Sequence, residues 1–79
     1  MKAKLGGTLY RDMGDKVKVM RIIRVFDDDG NLVRFTVVGV DVEKTNKHQP
    51  PHEAVKGKDK EIEEKVKNIL RKRGYGVVE

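Results

Sequence analysis

The sequence predicts an α+β fold, a three-stranded antiparallel β-meander with one C-terminal α-helix, in a single domain spanning residues 1–79. Three observations lead to this prediction. Two β-branched runs between Lys16 and Glu43 flank an acidic, glycine-containing turn, which is typical of a β-hairpin. A shorter β-type segment precedes the hairpin, and a segment with helical periodicity follows it.

The first strand is predicted for residues 3–11, with a bend or bulge at Gly6 and Gly7. Residues 12–15 carry a turn signal, so this strand should fold back beside the first arm of the hairpin. No lysine and serine follow the two glycines at P-loop spacing, and a phosphate-binding loop is therefore not predicted here.

Two pairing registers are open for the hairpin. A two-residue turn at Asp29 and Gly30 places Lys18 opposite Asp41, and likewise Lys16 opposite Glu43. A three-residue turn instead places Arg24 opposite Arg34. Opposite charges stabilise a cross-strand pair and like charges destabilise it, so the first register is favoured.

In the favoured register both faces of the hairpin are mostly apolar. One face carries Met20, Ile22, Phe26, Val33, Phe35 and Val37, interrupted by Arg24. The other carries Val17, Val19, Ile23, Val25, Val38, Val40 and Val42, interrupted by Arg21, Arg34 and Thr36. An antiparallel sheet with one hydrated face should alternate apolar and polar residues, so both faces are expected to need cover.

The predicted helix runs from about Asp59 to about Arg73 and has a single apolar stripe. Asp59 is the expected N-cap, and Gly74 is the expected left-handed residue after the helix. The residues after Gly74 could add a short edge strand to the sheet. One stripe covers one sheet face only. We therefore expect a homodimer, in which a second copy covers the other face.

The composition indicates the compartment and the kind of organism in which the protein works. The chain has no cysteine, which excludes disulfides and fits a reducing compartment such as the cytoplasm. Charged residues make up 39% of the chain, a bias typical of thermophile proteins. No apolar run approaches a signal peptide or a membrane helix, so no membrane partner is expected.

The net charge of +5 is compatible with binding to a DNA or RNA backbone. The candidate nucleic-acid-binding residues are Lys16, Lys18, Arg21, Arg24, Arg34, Arg71, Lys72 and Arg73. Aromatic residues are few, so phosphate contacts should dominate any such binding. The layout of a basic β-meander and a C-terminal helix resembles that of small archaeal chromatin proteins with SH3-like barrels, but no motif can be matched residue by residue.

Residues 44–58 are predicted to form one long basic loop, because the pair Pro50 and Pro51 interrupts both helix and strand patterns. The loop holds His48 and His52, which are candidates for acid and base in metal-free RNA cleavage, for metal ligation with nearby carboxylates, or for plain solvated side chains. The run of aspartates at 27–29 is interpreted as a soluble turn and not as a metal site.

No catalytic or cofactor signature is present, and no metal or cofactor is expected. The leading hypothesis is a small basic, non-catalytic protein that binds nucleic acid or acts as a regulator. A protein-interaction module, such as an inhibitor or a toxin–antitoxin component that docks a partner on an apolar sheet face, is the alternative. A small metal-independent ribonuclease is a third.

Overall fold

A computed structural model describes residues 1–78 of the chain and confirms the predicted α+β class. The elements in chain order are β1 (Lys2–Asp12), β2 (Lys16–Phe26), β3 (Leu32–Glu43), α1 (Pro51–Ala54), α2 (Asp59–Lys72) and β4 (Gly76–Val78). Within residues 1–78, no helix is long and apolar enough to span a membrane.

The four strands form one sheet in the order β3-β2-β1-β4. The first three strands are the predicted antiparallel meander. The short final strand is also present, and it pairs in parallel with Lys2–Lys4 along the outer edge of β1. The segment containing α2 therefore carries the chain from β3, at one edge of the sheet, to β4 at the other.

The hairpin turn differs from the predicted two-residue turn. Asp27 and Asn31 close a three-residue loop, because the Asp27 N–H donates to the Asn31 carbonyl at 3.0 Å. Gly30 has a φ of +83°, which is the left-handed residue that such loops require. The Asp27 carboxylate accepts the backbone N–H groups of Asp29 and Asn31, both at 2.9 Å, and this stabilises the acidic turn.

The pairing of the arms nevertheless follows the favoured register, with Lys18 opposite Asp41. The reason is a bulge in β3. Phe26 pairs with Leu32 and Val25 pairs with Arg34, which leaves Val33 as the extra residue between them. The bulge absorbs the residue that the longer turn added, so the charge-pairing argument predicted the register correctly and the turn incorrectly.

The core lies between one sheet face and the two helices. It contains Val17, Val19, Ile23 and Val25 from β2, Val38, Val40 and Val42 from β3, Ala3, Ala54, Val55, Ile62, Val66 and Leu70. The predicted apolar stripe of α2 is therefore the surface that packs on the sheet, and the β-branched residues of the two hairpin arms supply most of the facing layer.

Helix α2 has nearly the predicted bounds but a different start. The N-cap is Lys58, without a side-chain hydrogen bond, and Asp59 is the first helical residue, where its charge still favours the helix dipole. The end is as predicted. Gly74 has a φ of +91°, and the Tyr75 N–H donates to the Leu70 carbonyl at 3.0 Å, which is the Schellman arrangement.

Residues 44–58 are not a plain loop, because they contain the one-turn helix α1. Pro51 is its first residue, a position at which the missing proline N–H has no intrahelical partner to lose. Ala54 and Val55 are buried in the core. The two prolines therefore begin a helix here instead of excluding one, and the buried Ala54 and Val55 anchor the middle of the segment to the core.

Candidate nucleic-acid interface

Helix α2 covers one face of the sheet, and we call the opposite side the open face. Side chains alternate along each strand, and residues directly opposite each other in an antiparallel pair lie on the same face. Since Val17, Val19, Ile23 and Val25 are buried, the even-numbered residues of β2 belong to the open face. The pairing register then assigns the partners of these residues on β1 and β3.

The open face is strongly basic. Its cations are Lys2, Lys4, Arg11, Lys16, Lys18 and Arg24, all of them on β1 and β2. Within residues 1–78, the acids that share this face are Asp41 and Glu43, both near the end of β3. Lys16 Nζ forms an ion pair with Asp41 Oδ2 at 3.4 Å. The positive charge elsewhere on the face therefore greatly exceeds the negative charge.

Two of the cross-strand pairs on the open face join like charges. Lys4 lies opposite Arg24, and Arg11 lies opposite Lys18. All four side chains are exposed. Like charges that face each other destabilise a sheet, by the same reasoning that favours the hairpin register. The free protein therefore carries a repulsion that an anionic ligand on this face would relieve.

The open face also exposes apolar side chains. Phe35 is 60% exposed, Leu9 53% and Val37 50%, and the half-buried Met20 and Ile22 lie between them on β2. Along the strands, the cations lie on both sides of Leu9, Met20 and Ile22, with Arg11, Lys16 and Lys18 towards one end and Lys2, Lys4 and Arg24 towards the other. In the row across the sheet that contains Phe35 on β3, the residues on β2 and β1 are Arg24 and Lys4.

Gly39 shapes the centre of this face. A Cβ atom at Gly39 would lie 2.9 Å from Cε of Lys18, so the stem of that lysine occupies the space that a side chain would fill. The long apolar part of Lys18 thus covers the backbone of β3. Its ammonium group is directed over the sheet, and the residue remains exposed overall.

Three cations of the open face, Lys2, Lys4 and Arg11, are not among the residues that the sequence singled out. The bulge at Gly6 and Gly7 explains the omission, because the pairing of β1 with β2 shifts between Leu5 and Thr8. Without this shift, side chains would alternate regularly along β1, and Lys2 and Lys4 would lie on the face opposite to Arg11. The alternating positions of Lys2 and Lys4 indicated that these two lysines share a face. The alternation could not be extended past Gly6 and Gly7 to Arg11.

The eight predicted binding residues divide into three groups. Lys16, Lys18 and Arg24 lie on the open face, as described above. Arg21 belongs to the core face, where its Nε donates to the Gly6 carbonyl at 2.8 Å. Arg34 also belongs to that side; it donates to the Tyr75 hydroxyl, and its guanidinium carbon lies 5.9 Å from the centre of the Tyr75 ring.

The third group is the end of helix α2, with the exposed residues Arg71, Lys72 and Arg73. Helix α2 packs on the core face, so this cluster is separated from the open face by the sheet. Arg71 donates to the side chain of Asn68 at 3.1 Å. Cations at this position also stabilise the helix dipole, which gives the cluster a structural role of its own.

The two histidines are both exposed. His48 lies before α1, and its backbone N–H donates to Asn46 Oδ1 at 2.9 Å, while His52 lies within α1. In the described part of the chain, no group of three His, Cys, Asp or Glu residues is arranged to hold a metal ion. The ribonuclease hypothesis for His48 and His52 stays a prediction without a specific contact in its favour.

An ion pair with a buried lysine joins the end of β1 to the residue that follows β3. Lys44 Nζ lies 2.7 Å from Asp12 Oδ1, and the Lys44 side chain is only 2% exposed. The hydrogen bond from Lys44, followed by that from the Gly14 N–H, holds the pKa of Asp12 below its ordinary value of 3.8. This pair fixes the beginning of the 44–58 segment to the sheet.

Comparison of the chain with protein-family models, with curated proteins and with solved structures finds no significant match. The feature that most needs a functional explanation is the basic and partly apolar open face.

Proposed function

We propose that the chain is a small, non-catalytic protein that binds nucleic acid through its open face. The observation that carries the proposal is the two cross-strand pairs of like charge, Lys4 opposite Arg24 and Arg11 opposite Lys18. Like charges at paired positions lower the stability of the free protein. They become favourable when phosphate groups lie between or above the cations, because each phosphate then interacts with two positive charges.

The placement of the cations supports binding that tolerates many sequences. Lysine and arginine side chains on paired strands are held on one rigid surface, and contacts to phosphates carry no base information. About five such contacts would give a log–log salt dependence of roughly −4 to −5 on duplex DNA. The affinity should therefore fall steeply as the salt concentration rises.

Charge neutralisation at two separate surfaces tests the proposal. Lys4→Gln with Arg24→Gln removes two charges from the open face, and Arg71→Gln with Lys72→Gln removes two from the end of α2. In fluorescence anisotropy titrations at about 50 mM salt, the first variant should bind labelled nucleic acid at least about tenfold more weakly than the parent. The second should bind almost as the parent does.

Two results would contradict the proposal. An equal loss in both variants would mean that net charge matters and the open face does not. The absence of binding to any DNA or RNA at protein concentrations of about 100 μM, where ordinary non-specific binders associate, would mean that the basic charge is a solubility feature. Circular dichroism melts of each variant provide the check that the fold is retained.

A protein partner is the second candidate, because Leu9, Phe35 and Val37 are each at least half exposed on the same face. An acidic partner would match both the apolar residues and the cations around them. This candidate corresponds to the inhibitor or toxin–antitoxin hypothesis. It takes first place if nucleic acid fails to bind under the conditions given above.

A further inference from the structure

We infer that the ligand of the open face is single-stranded nucleic acid, with an unstacked base lying on Phe35 and phosphates on the cations of β1 and β2. This inference rests on the proposed function and specifies its ligand. It starts from Phe35, the most exposed of the large apolar residues on the open face at 60%. An aromatic ring offers a nucleic acid one favourable contact in particular, which is stacking against the flat face of a base.

A duplex cannot supply this contact without distortion, because the faces of its bases are already stacked on each other. A single strand can, since its bases are free to turn out. One row across the open face offers both kinds of contact to such a strand. Phe35 lies at the β3 end of this row, and Arg24 on β2 and Lys4 on β1 follow it.

The dimensions agree with this arrangement. Adjacent strands are about 4.8 Å apart, so Phe35 and Lys4, two strands apart in the same row, are separated by about 10 Å at the backbone. Their side chains can therefore contact the base and the phosphate sides of one strand together. Strand β1 has 11 residues, about 35 Å in length, which accommodates roughly four to six nucleotides, near the lower limit for sites on small β-folds.

The apolar surroundings of Phe35 indicate little base selectivity. Its neighbour on the same strand and face is Val37, and its cross-strand partner is Arg24, whose guanidinium can contact phosphates or stack on a second base. Reading of base edges requires directed hydrogen-bonding groups, and stacking does not. We therefore expect pyrimidine strands of DNA and of RNA to bind through the same contacts.

The test uses three labelled probes of about 12 nucleotides, a length that exceeds the expected site. They are a thymidine DNA strand, a uridine RNA strand and a mixed-sequence DNA duplex. In anisotropy titrations at about 50 mM salt, the full chain should bind at least one single strand about tenfold or more tightly than the duplex. The two single strands report separately whether DNA, RNA or both are bound.

Variants of Phe35 then identify the stacking contact. Phe35→Ala should weaken single-strand binding about 5- to 100-fold, the range seen when a stacking aromatic is truncated. Phe35→Leu keeps the apolar bulk without the ring and should lose most of the same affinity. Tyr10→Ala is the matched control, because Tyr10 is 50% exposed but lies opposite Val19 on the core face.

The outcomes separate this inference from the proposed function. Duplex binding as tight as single-strand binding, or an unchanged affinity in Phe35→Ala, would overturn the inference and leave the open face as a general phosphate-binding surface. A loss in Tyr10→Ala equal to that in Phe35→Ala would also overturn it. Failure of all three probes to bind the parent chain would overturn both the inference and the proposed function.

Discussion

Arg21 Nε donates a hydrogen bond of 2.8 Å to the carbonyl of Gly6, and this bond ties the bulge of β1 to the neighbouring strand. The bulge determines which side chains of β1 reach the open face. Lys2 and Lys4 precede it, Leu9 and Arg11 follow it, and all four lie on the same side of the sheet. The contribution of β1 to the candidate interface therefore depends on one irregularity in that strand.

Gly6→Ala should destabilise the fold, because the added Cβ would lie 2.9 Å from the Ile22 carbonyl oxygen in the neighbouring backbone. We expect a decrease of about 1–3 kcal/mol in the free energy of unfolding, measured by urea titration. Gly7→Ala is the matched control, since a Cβ added at Gly7 would meet no atom within 4 Å. Equal stability of the two variants would show that the bulge tolerates a side chain at Gly6.

Lys4→Gln should raise the stability of the free protein while it weakens nucleic-acid binding, because it removes the repulsion with Arg24. A gain of about 0.2–1 kcal/mol in the free energy of unfolding is expected at low salt, and it should shrink as salt screens the charges. Lys2→Gln is the control, since Lys2 lies opposite Phe26. A loss of stability in Lys4→Gln would contradict the like-charge interpretation of the open face.

Asp12→Asn should lower the melting temperature at neutral pH, because it leaves the buried ammonium of Lys44 without its carboxylate. The folded pKa of Asp12 lies below its ordinary value of 3.8, so its contribution is fully present above that pH and is lost as the pH falls through the folded pKa. The difference in melting temperature between Asp12→Asn and the parent should therefore disappear in strong acid. Asp15→Asn, close to Asp12 in the chain, is the comparison variant. A melting-temperature difference between Asp12→Asn and the parent that does not change with pH would refute the stabilising role of the Asp12–Lys44 ion pair.

Homodimerisation stays a prediction, and the open face gives it a specific salt dependence. Stacking two copies through Phe35 and Val37 would bring two strongly basic faces together, so added salt should favour the dimer. Salt should have the opposite effect on nucleic-acid binding. Light scattering across a salt series checks this, with Val37→Lys as the variant expected to be monomeric. A 9.0 kDa monomer at every salt concentration, with the protein at high micromolar concentration, would argue against the dimer.

Residues 44–58 should be the first internal site of proteolysis, because the exposed residues 45–48 lie outside the strands and helices. Trypsin is expected to cleave after the exposed Lys47 before it cleaves after Lys44, whose side chain is buried against Asp12. Mass spectrometry of the first fragments measures the order. Cleavage confined to the chain ends would mean that α1 and the buried residues Ala54 and Val55 hold the whole segment in place.

The hairpin arms, the helix and its glycine end could be predicted from the sequence because each depends on neighbours in the chain. Alternating β-branched residues form the arms, a repeat of apolar residues forms the stripe of α2, and Gly74 can adopt the left-handed conformation that ends it. The register followed from charge pairing, which is already visible in the sequence as Lys18 and Asp41.

The composition of the candidate site was decided only by the tertiary structure. Each inserted residue reverses the direction of every later side chain in a strand relative to its partner. The sequence indicated a bend or bulge at Gly6 and Gly7, but only the pairing of β1 with β2 shows that one residue is inserted there, and only the pairing of β2 with β3 shows the insertion at Val33. The sequence could therefore identify a basic chain with two apolar sheet faces and could place Arg24 on the face opposite to Arg21 and Arg34. Long-range pairing added Lys2, Lys4 and Arg11 to the face of Lys18 and Arg24, and the packing of α2 decided which of the two faces stays open.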